Sequence, residues 1–411
     1  MGVLSSEYQV VKEENPLNVT QADLVVGFLS RDDATTIERV VVKVSEGLAQ
    51  DYPDLKAALI LSDCHSTDNV VETFFNIPTT LPKLAIVAPP NQNTPTQGLL
   101  NLFYLAERLK AQIVVVQSAD TLTVKRTWIK RLIHPIIMDT ADFTNPLYAR
   151  NAIDSPVTNL MVYPMIRALF GRRLRQPVLA DWAFNAKFLK ALLAYPDWPD
   201  SPSLMIPEFL IKVMAIIGGF RICQTIMTEG RHGLSNRVMD TPHIIGMFKQ
   251  LAQAIFESMA RFKDEWSKIT RSKPTSVIGT DLKQELFPTR YKIHLEELHQ
   301  DILDLLKEAT PQWQEVLGPA SNLLEYLLVT PLGDLEISSQ NWGLFLFMCG
   351  DIYERLDSPG QEKLMTAMTP VFLARFLTFQ KHTIGLSPIQ VESKVEKAAE
   401  NLEKLKKELL S

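Results

Sequence analysis

The residues best placed to do chemistry stand where apolar runs stop. In VVVQSADTL (114–122) three valines give way to a polar turn holding one carboxylate, Asp120. A carboxylate at a strand end can hold a divalent cation against a diphosphate, the oxygen-ligand chemistry that suits Mg2+ or Mn2+. Such sites usually carry two acids, and the partner position here is Ser118. LILSDCHSTDNVVE (59–72) ends in Asp63, followed by a polar turn and Asp68, placed to cap the next helix. A carboxylate at Asp63 can accept hydrogen bonds from a nucleobase or ribose lying across strand ends; an Asx turn is the plainer reading. RALFGRRLRQPVLADWAF (167–184) concentrates Arg167, Arg172, Arg173 and Arg175, which could bind a diphosphate or a carboxylated acceptor in bidentate fashion. A solvated turn explains the same arginines. Asp181 reads either as an acid of the site or as a helix N-cap. Further on, Glu208 opens a buried helix, where the dipole favours it, and His232 sits in a polar loop as a metal ligand or a surface residue.

The elements that would position these residues alternate over the first part of the chain. LVVGFLS (24–30) precedes ATTIERVVVKVSEGLAQ, in which Ile37, Val40, Val41, Val44 and Leu48 recur at helical spacing. KAALILSD, KLAIVAPP and IVVVQ read as further strands, and GLLNLFYLAERLKA (98–111) as the amphipathic helix before the last of them. Continuous apolar strands separated by helices imply a parallel sheet covered on both faces. Ligands of such sheets bind at the carboxyl ends of the strands, where Ser30, Asp63 and Asp120 all fall. From about residue 246 the pattern becomes long helices without convincing strands, and RSKPTSVIGT (271–280) reads as a loop. VESKVEKAAENLEKLKKELL spaces Val391, Val395, Ala398, Leu402, Leu405 and Leu409 in steps of four and three, a seam for a partner helix within the chain or in a dimer.

The 411 residues allow two domains, and 46% hydrophobic with 22% charged residues is the composition of a folded globular protein. A net charge of −5 argues against a general nucleic-acid binder. Three widely spaced cysteines do not make a disulfide framework and fit a reducing cytoplasm. The longest apolar stretch, FLIKVMAIIGGF, is too short to span a bilayer. The dinucleotide, Walker A, nucleophile-elbow and zincin motifs are all missing.

Taken in order, the segments resemble the family-2-like glycosyltransferases of GT-A fold, in particular the glucosylglycerate and mannosylglycerate synthase branch. LVVGFLSRDDATTIERVV is similar to that family's first strand and helix, LILSDCHSTD to its nucleotide-binding strand end, and PTQGLLNLFYLAERL to its glycine-started helix. VVVQSADTLTVKRTWIKRL resembles the metal-binding strand, QPVLADWAF the Q-P-x-G-G-(D/E) segment, and GGFRICQTIMTEGRHG the strand leading to a metal histidine. The likeness covers roughly residues 22–250. It implies a GT-A nucleotide-diphospho-sugar domain over 22–245 after an N-terminal extension (1–21), followed by an all-α domain over 246–411.

On this resemblance Ser30, Asp63, Gly98, Ser118 and Arg175 would contact the nucleotide sugar. Asp120 and His232 would hold Mg2+ or Mn2+, and Asp181 and Glu208 would be the catalytic acids. The departures are specific: Ser118 replaces the first acid of the metal motif, Gln97 stands for a lysine, and Leu179 and Ala180 replace two glycines. The implied reaction is hexose transfer from a nucleotide-diphospho-sugar donor to a small, glycerate-like acceptor, with retention of configuration. If the reaction inverts, Asp181 or Glu208 would be the base. The alternative reading is a degenerate GT-A fold kept as a binding or assembly module. A homodimer through the C-terminal helices is the expected assembly.

Overall fold

A computed structural model of the chain describes residues 12–149, 155–196, 198, 207–227, 240–279, 295–331 and 334–410. Its frame is a nine-stranded sheet assembled from strands far apart in sequence. β1 (Lys12–Glu14) and β2 (Leu24–Ser30) open the chain, and α1 (Ile37–Asp51) returns it to β3 (Ala57–Asp63). α2 (Val70–Asn76), β4 (Lys83–Val87), α3 (Pro95–Arg108), β5 (Ile113–Ser118), α4 (Thr127–Ile137) and β6 (Phe143–Tyr148) continue the alternation. α5 (Tyr163–Phe170), β7 (Arg172–Arg173), β8 (Trp182–Asn185), α6 (Ala186–Leu193), α7 (Pro207–Ile217) and β9 (Ile222–Met227) follow. The order across the sheet is β1-β4-β3-β2-β5-β8-β6-β9, closed at the far edge by β11 (Ser276–Ile278).

β2, β3, β4 and β5 are mutually parallel, while β8 runs antiparallel between β5 and β6. After β2 the chain steps outward through β3 and β4, then crosses back to place β5 on the other side of β2. The gap between β2 and β5 is therefore the topological switch point, beyond whose carboxyl ends open α/β sheets bind ligands. Alternation along the strands feeds two cores. Leu24, Val26 and Phe28 pack with Val40, Val44 and Trp128 of α1 and α4. Val25, Val114 and Val116 face Leu102, Phe103 and Ala106 of α3. Both faces are covered, as the continuous apolar strands require.

The remaining helices are α8 (Thr241–Arg261), α9 (Lys263–Trp266), α10 (Leu295–Val316), α11 (Asn322–Val329), α12 (Ser339–Tyr353), α13 (Ser358–Lys381) and α14 (Pro388–Leu410), with β10 (Lys273–Pro274) ahead of β11. Their apolar residues share one continuous core with α3, α5, α6 and α7. No described helix is long and apolar enough to cross a membrane.

Three expectations about elements are corrected, and the α14 seam takes one of the two partners left open for it. Residues 12–14, placed before the first domain, pair antiparallel with β4 as an edge strand. RSKPTSVIGT is not a plain loop: β10 pairs with β7, and β11 adds to the sheet beside β9. α3 starts at Pro95 rather than Gly98, because Thr94 caps it, accepting from the Gln97 amide at 3.2 Å, and Pro95 supplies a ready first-turn φ. The α14 seam is used within the chain. Val391, Val395, Ala398 and Leu402 are buried, and α14 packs against α5 and α12.

Candidate functional site

The carboxyl ends of β2 and β5, with the start of α3, enclose a cleft of about 490 Å3 lined by Leu29, Ser30, Arg31, Asp32, Asp33, Cys64, Asn93, Pro95, Ser118 and Asp120. Three carboxylates and one guanidinium make the wall acidic. Ser118 Oγ donates to Asp120 Oδ1 at 2.6 Å, so the serine at the position of the missing acid is tied to the acid that remains. Asp33, from the β2 end, accepts from Ser30 Oγ at 3.1 Å and from the Arg31 amide at 2.9 Å, both on Oδ2. Burial pushes Asp33 up to about 6 despite these bonds, with Asp120 and Asp68 adding like-charge repulsion.

The loops after β2 and β3 are fastened to each other. Asp32 Oδ1 accepts from the Thr67 amide at 2.7 Å, the Asp32 amide donates to Ser66 Oγ at 2.8 Å, and the Ala34 amide donates to Asp68 Oδ2 at 2.7 Å. Asp32 and His65 both sit at left-handed backbone angles, with φ of 59° and 61°. Strained conformations of this kind persist where surrounding bonds over-determine them.

Beneath the cleft lies a buried polar network. The register that sets Val116 opposite Trp182 places Asp181 beside the end of β5. Asp181 is fully buried and accepts from the Gln117 side-chain amide, from the Ser118 backbone amide at 3.1 Å and from Tyr148 Oη at 2.8 Å. Tyr148 is held by Gln176 through a reciprocal pair, its amide to Oε1 at 3.0 Å and Nε2 to its carbonyl at 2.9 Å. Lys212 on α7 is also fully buried; its Nζ donates to the Leu179 carbonyl at 2.9 Å and lies 4.8 Å from the Trp182 ring centre. Burial lowers its pKa, against the upward pull of Glu208 and Asp181.

The structure brings together Ser30, Ser118 and Asp120, as expected, and adds Asp33, which sequence reasoning missed. The signal was in SRDDATT, three residues past the strand end. Other expected site residues stand elsewhere. Asp63 closes an Asx turn with Ser66, accepting from its amide at 3.1 and 3.2 Å and from its hydroxyl, and burial raises its pKa. It lines a separate groove of about 1050 Å3 beside β1 and α2, together with Phe75 and Val71. Asp68 is not a helix cap; the N-cap position of α2 is Asn69, and Asp68 serves the β2 loop instead.

Gly98 does not line the cleft. A Cβ there would come within 2.8 Å of Cys64 Sγ and 2.9 Å of Leu29 Cδ1, so the glycine lets α3 lie close on the sheet. Arg175 is committed to the C-terminal helix: Nε and Nη2 fork onto Glu392 at 2.5 and 2.8 Å, and the guanidinium stacks over Tyr163. Arg167 pairs likewise with Glu396 and Glu403, and Arg172 and Arg173 form β7. These arginines bind α14 and the small β7–β10 sheet because the acidic face of α14 lies against them. Asp181 is enclosed rather than open to a substrate, and it precedes a strand rather than capping a helix. Glu208 is half-buried in the first turn of α7 and does not line the cleft. His232 lies outside the described residues. Among the described residues no group of three or more His, Cys, Asp or Glu side chains forms a metal site.

Neither a family model nor a curated protein matches the sequence. Solved structures similar in fold include glucosyl-3-phosphoglycerate synthase from Mycobacterium tuberculosis in three complexes. With Mn2+, UDP and glucosyl-3-phosphoglycerate the identity is 18% and the TM-score 0.44, covering 58% of this chain and 80% of that chain. With Mn2+, UDP and phosphoglyceric acid the values are 19% and 0.45, covering 58% and 78%. With Mg2+ and UDP they are 18% and 0.44, covering 58% and 79%.

Proposed function

We propose that the chain is a glycosyltransferase of GT-A type that moves a hexose from a nucleotide-diphospho-sugar to a small acceptor with help from a divalent cation. The observation that carries this reading is the acidic cleft at the β2/β5 switch point, with Ser118 and Asp120 on its floor. A diphosphate entering a wall of three carboxylates and one arginine would be repelled unless a cation came with it. The oxygen donors present, Asp120 with Ser118 and Asp33 beside it, are hard ligands of the kind Mg2+ and Mn2+ take, so the donor set fits the cation. When bound, the cation would neutralise charge on the departing diphosphate.

The chain's own residues would do the rest. The α3 N-terminus, which contributes Asn93 and Pro95 to the cleft, offers the positive end of its dipole to the phosphates. Asp181, Tyr148 and Gln176 fix the end of β5 so that Asp120 meets the ligand in one geometry. In transfer the anomeric carbon exchanges its bond to the diphosphate oxygen for one to the acceptor hydroxyl oxygen. The hydroxyl proton passes to the departing phosphate if configuration is retained. If it is inverted, neither Asp181, which is enclosed, nor Glu208, which does not line the cleft, is placed to serve as the base.

Calorimetric titration of uridine diphosphate with Mn2+, the ligands held by two of those structures, into wild type and Asp120→Ala tests the site. Loss of cation-dependent binding in the variant is the expected result; unchanged binding would remove Asp120 from the site and the reading with it.

A further inference from the structure

Lys212 has no part in the chemistry above, yet its setting is unusual. It is a lysine without solvent exposure in the middle of an apolar helix, and α7 buries Phe209, Ile211, Val213 and Ala215 around it. An ammonium in such a place is costly unless paired and hydrogen-bonded. Its bonded partners belong to the segment under the cleft, the Leu179 carbonyl at 2.9 Å and the Trp182 ring face at 4.8 Å, while Glu208 stands one turn back on its own helix. Asp181 itself accepts from Gln117, Ser118 and Tyr148.

We propose that Lys212 is a positioning residue: by holding the segment from Leu179 to Trp182 it seats Asp181, which in turn holds the Gln117–Ser118 end of β5 and so aims Asp120 into the cleft. The connection is continuous. Lys212 bonds the Leu179 carbonyl and lies over the Trp182 ring, on either side of Asp181 in the chain; Asp181 accepts the Ser118 amide, and the Ser118 hydroxyl donates to Asp120 at 2.6 Å. Lys212 also pins the carbonyl of Leu179, in the segment where side chains stand in place of glycines. It thereby fixes by a charge-assisted bond a loop that other sequences could hold by backbone packing. The inference rests on the proposed function for its ligand and on the buried network alone for its geometry.

The test uses the full chain as wild type, Lys212→Met, Asp181→Asn and the double variant, with two readouts. Amide hydrogen exchange over residues 113–120 is expected to quicken in Lys212→Met and Asp181→Asn while the rest of the sheet stays protected. Affinity for uridine diphosphate with Mn2+ is expected to fall about tenfold in each single variant, and no further in the double variant, because both act through one carboxylate. Wild-type exchange and affinity in a folded Lys212→Met, or losses that add in the double variant, would overturn the proposal. If Lys212→Met does not fold, the double variant, which removes both charges, carries the same two readouts against Asp181→Asn. If wild type binds no nucleotide, the proposed function fails, and the exchange arm still decides whether Lys212 positions the end of β5.

Discussion

Asp33 bears a cost that a substitution should relieve. Its carboxyl is raised from an ordinary 3.8 to about 6, first by burial and then by Asp120 and Asp68. An acid whose pKa is higher in the folded chain binds protons there that the unfolded chain has already released. Stability therefore falls as pH climbs from about 4 to about 6, and the whole penalty is present above that window. The rise corresponds to ~3 kcal/mol against the charged form. Water still reaches the carboxylate, and screening reduces this to about 1.5 kcal/mol.

Asp33→Asn keeps one oxygen for the Ser30 hydroxyl and the Arg31 amide, which both bond the same atom now. In chelator-treated protein, urea titration at pH 8 should show the variant more stable by about 1.5 kcal/mol, and by roughly half that at pH 5. A variant less stable than wild type at pH 8, or a gain equal at both pH values, would refute the account of Asp33 as a buried, crowded carboxylate. Such a burden at a cleft is the exchange of stability for a site that functional residues commonly make.

Two further outcomes follow from the C-terminal helix. Glu392→Gln leaves the Arg175 guanidinium half-paired at its buried seat and should cost about 3 kcal/mol in denaturant titration, without altering cation-dependent nucleotide binding. Loss of binding at unchanged stability would return Arg175 to the ligand site. Leu402→Ala opens the seam against α5 and α12 and should cost about 3 kcal/mol. Because the seam is filled within the chain, light scattering should report the same mass as wild type; a change of mass would place it in an oligomer contact.

The sheet was legible because its strands are long, apolar and interrupted by helices whose apolar residues fall on one face, as in α1 and α3. β11 was not, since three exposed residues after Pro274 carry no alternation, and they become a strand only because β9 offers an open edge. α3 was placed three residues late because Gly98 drew attention that belonged to the Thr94–Pro95 cap. Within the site, Asp120 and Ser118 were legible from their place at the end of a valine run. Asp33 was not, because nothing local tells which of two adjacent aspartates turns inward; that depends on Asp32 taking a left-handed angle and bonding Thr67 across the cleft rim. The arginine-rich segment misled for a related reason. Its partners, Glu392, Glu396 and Glu403, lie more than two hundred residues away, on a helix whose apolar seam was the feature that stood out. Lys212 was hidden inside an apolar helix, where sequence alone gives no hint of the carboxylates around it.

Titration of wild-type protein with a panel of nucleotide-diphospho-sugars, in Mg2+ or Mn2+ and again in chelator, tests the central claim most directly. The account predicts that one donor binds with the cation and is lost with chelator, and that it supports hexose transfer to a small acceptor. Folded protein that binds no donor under either condition would contradict it and leave the fold as a binding or assembly module.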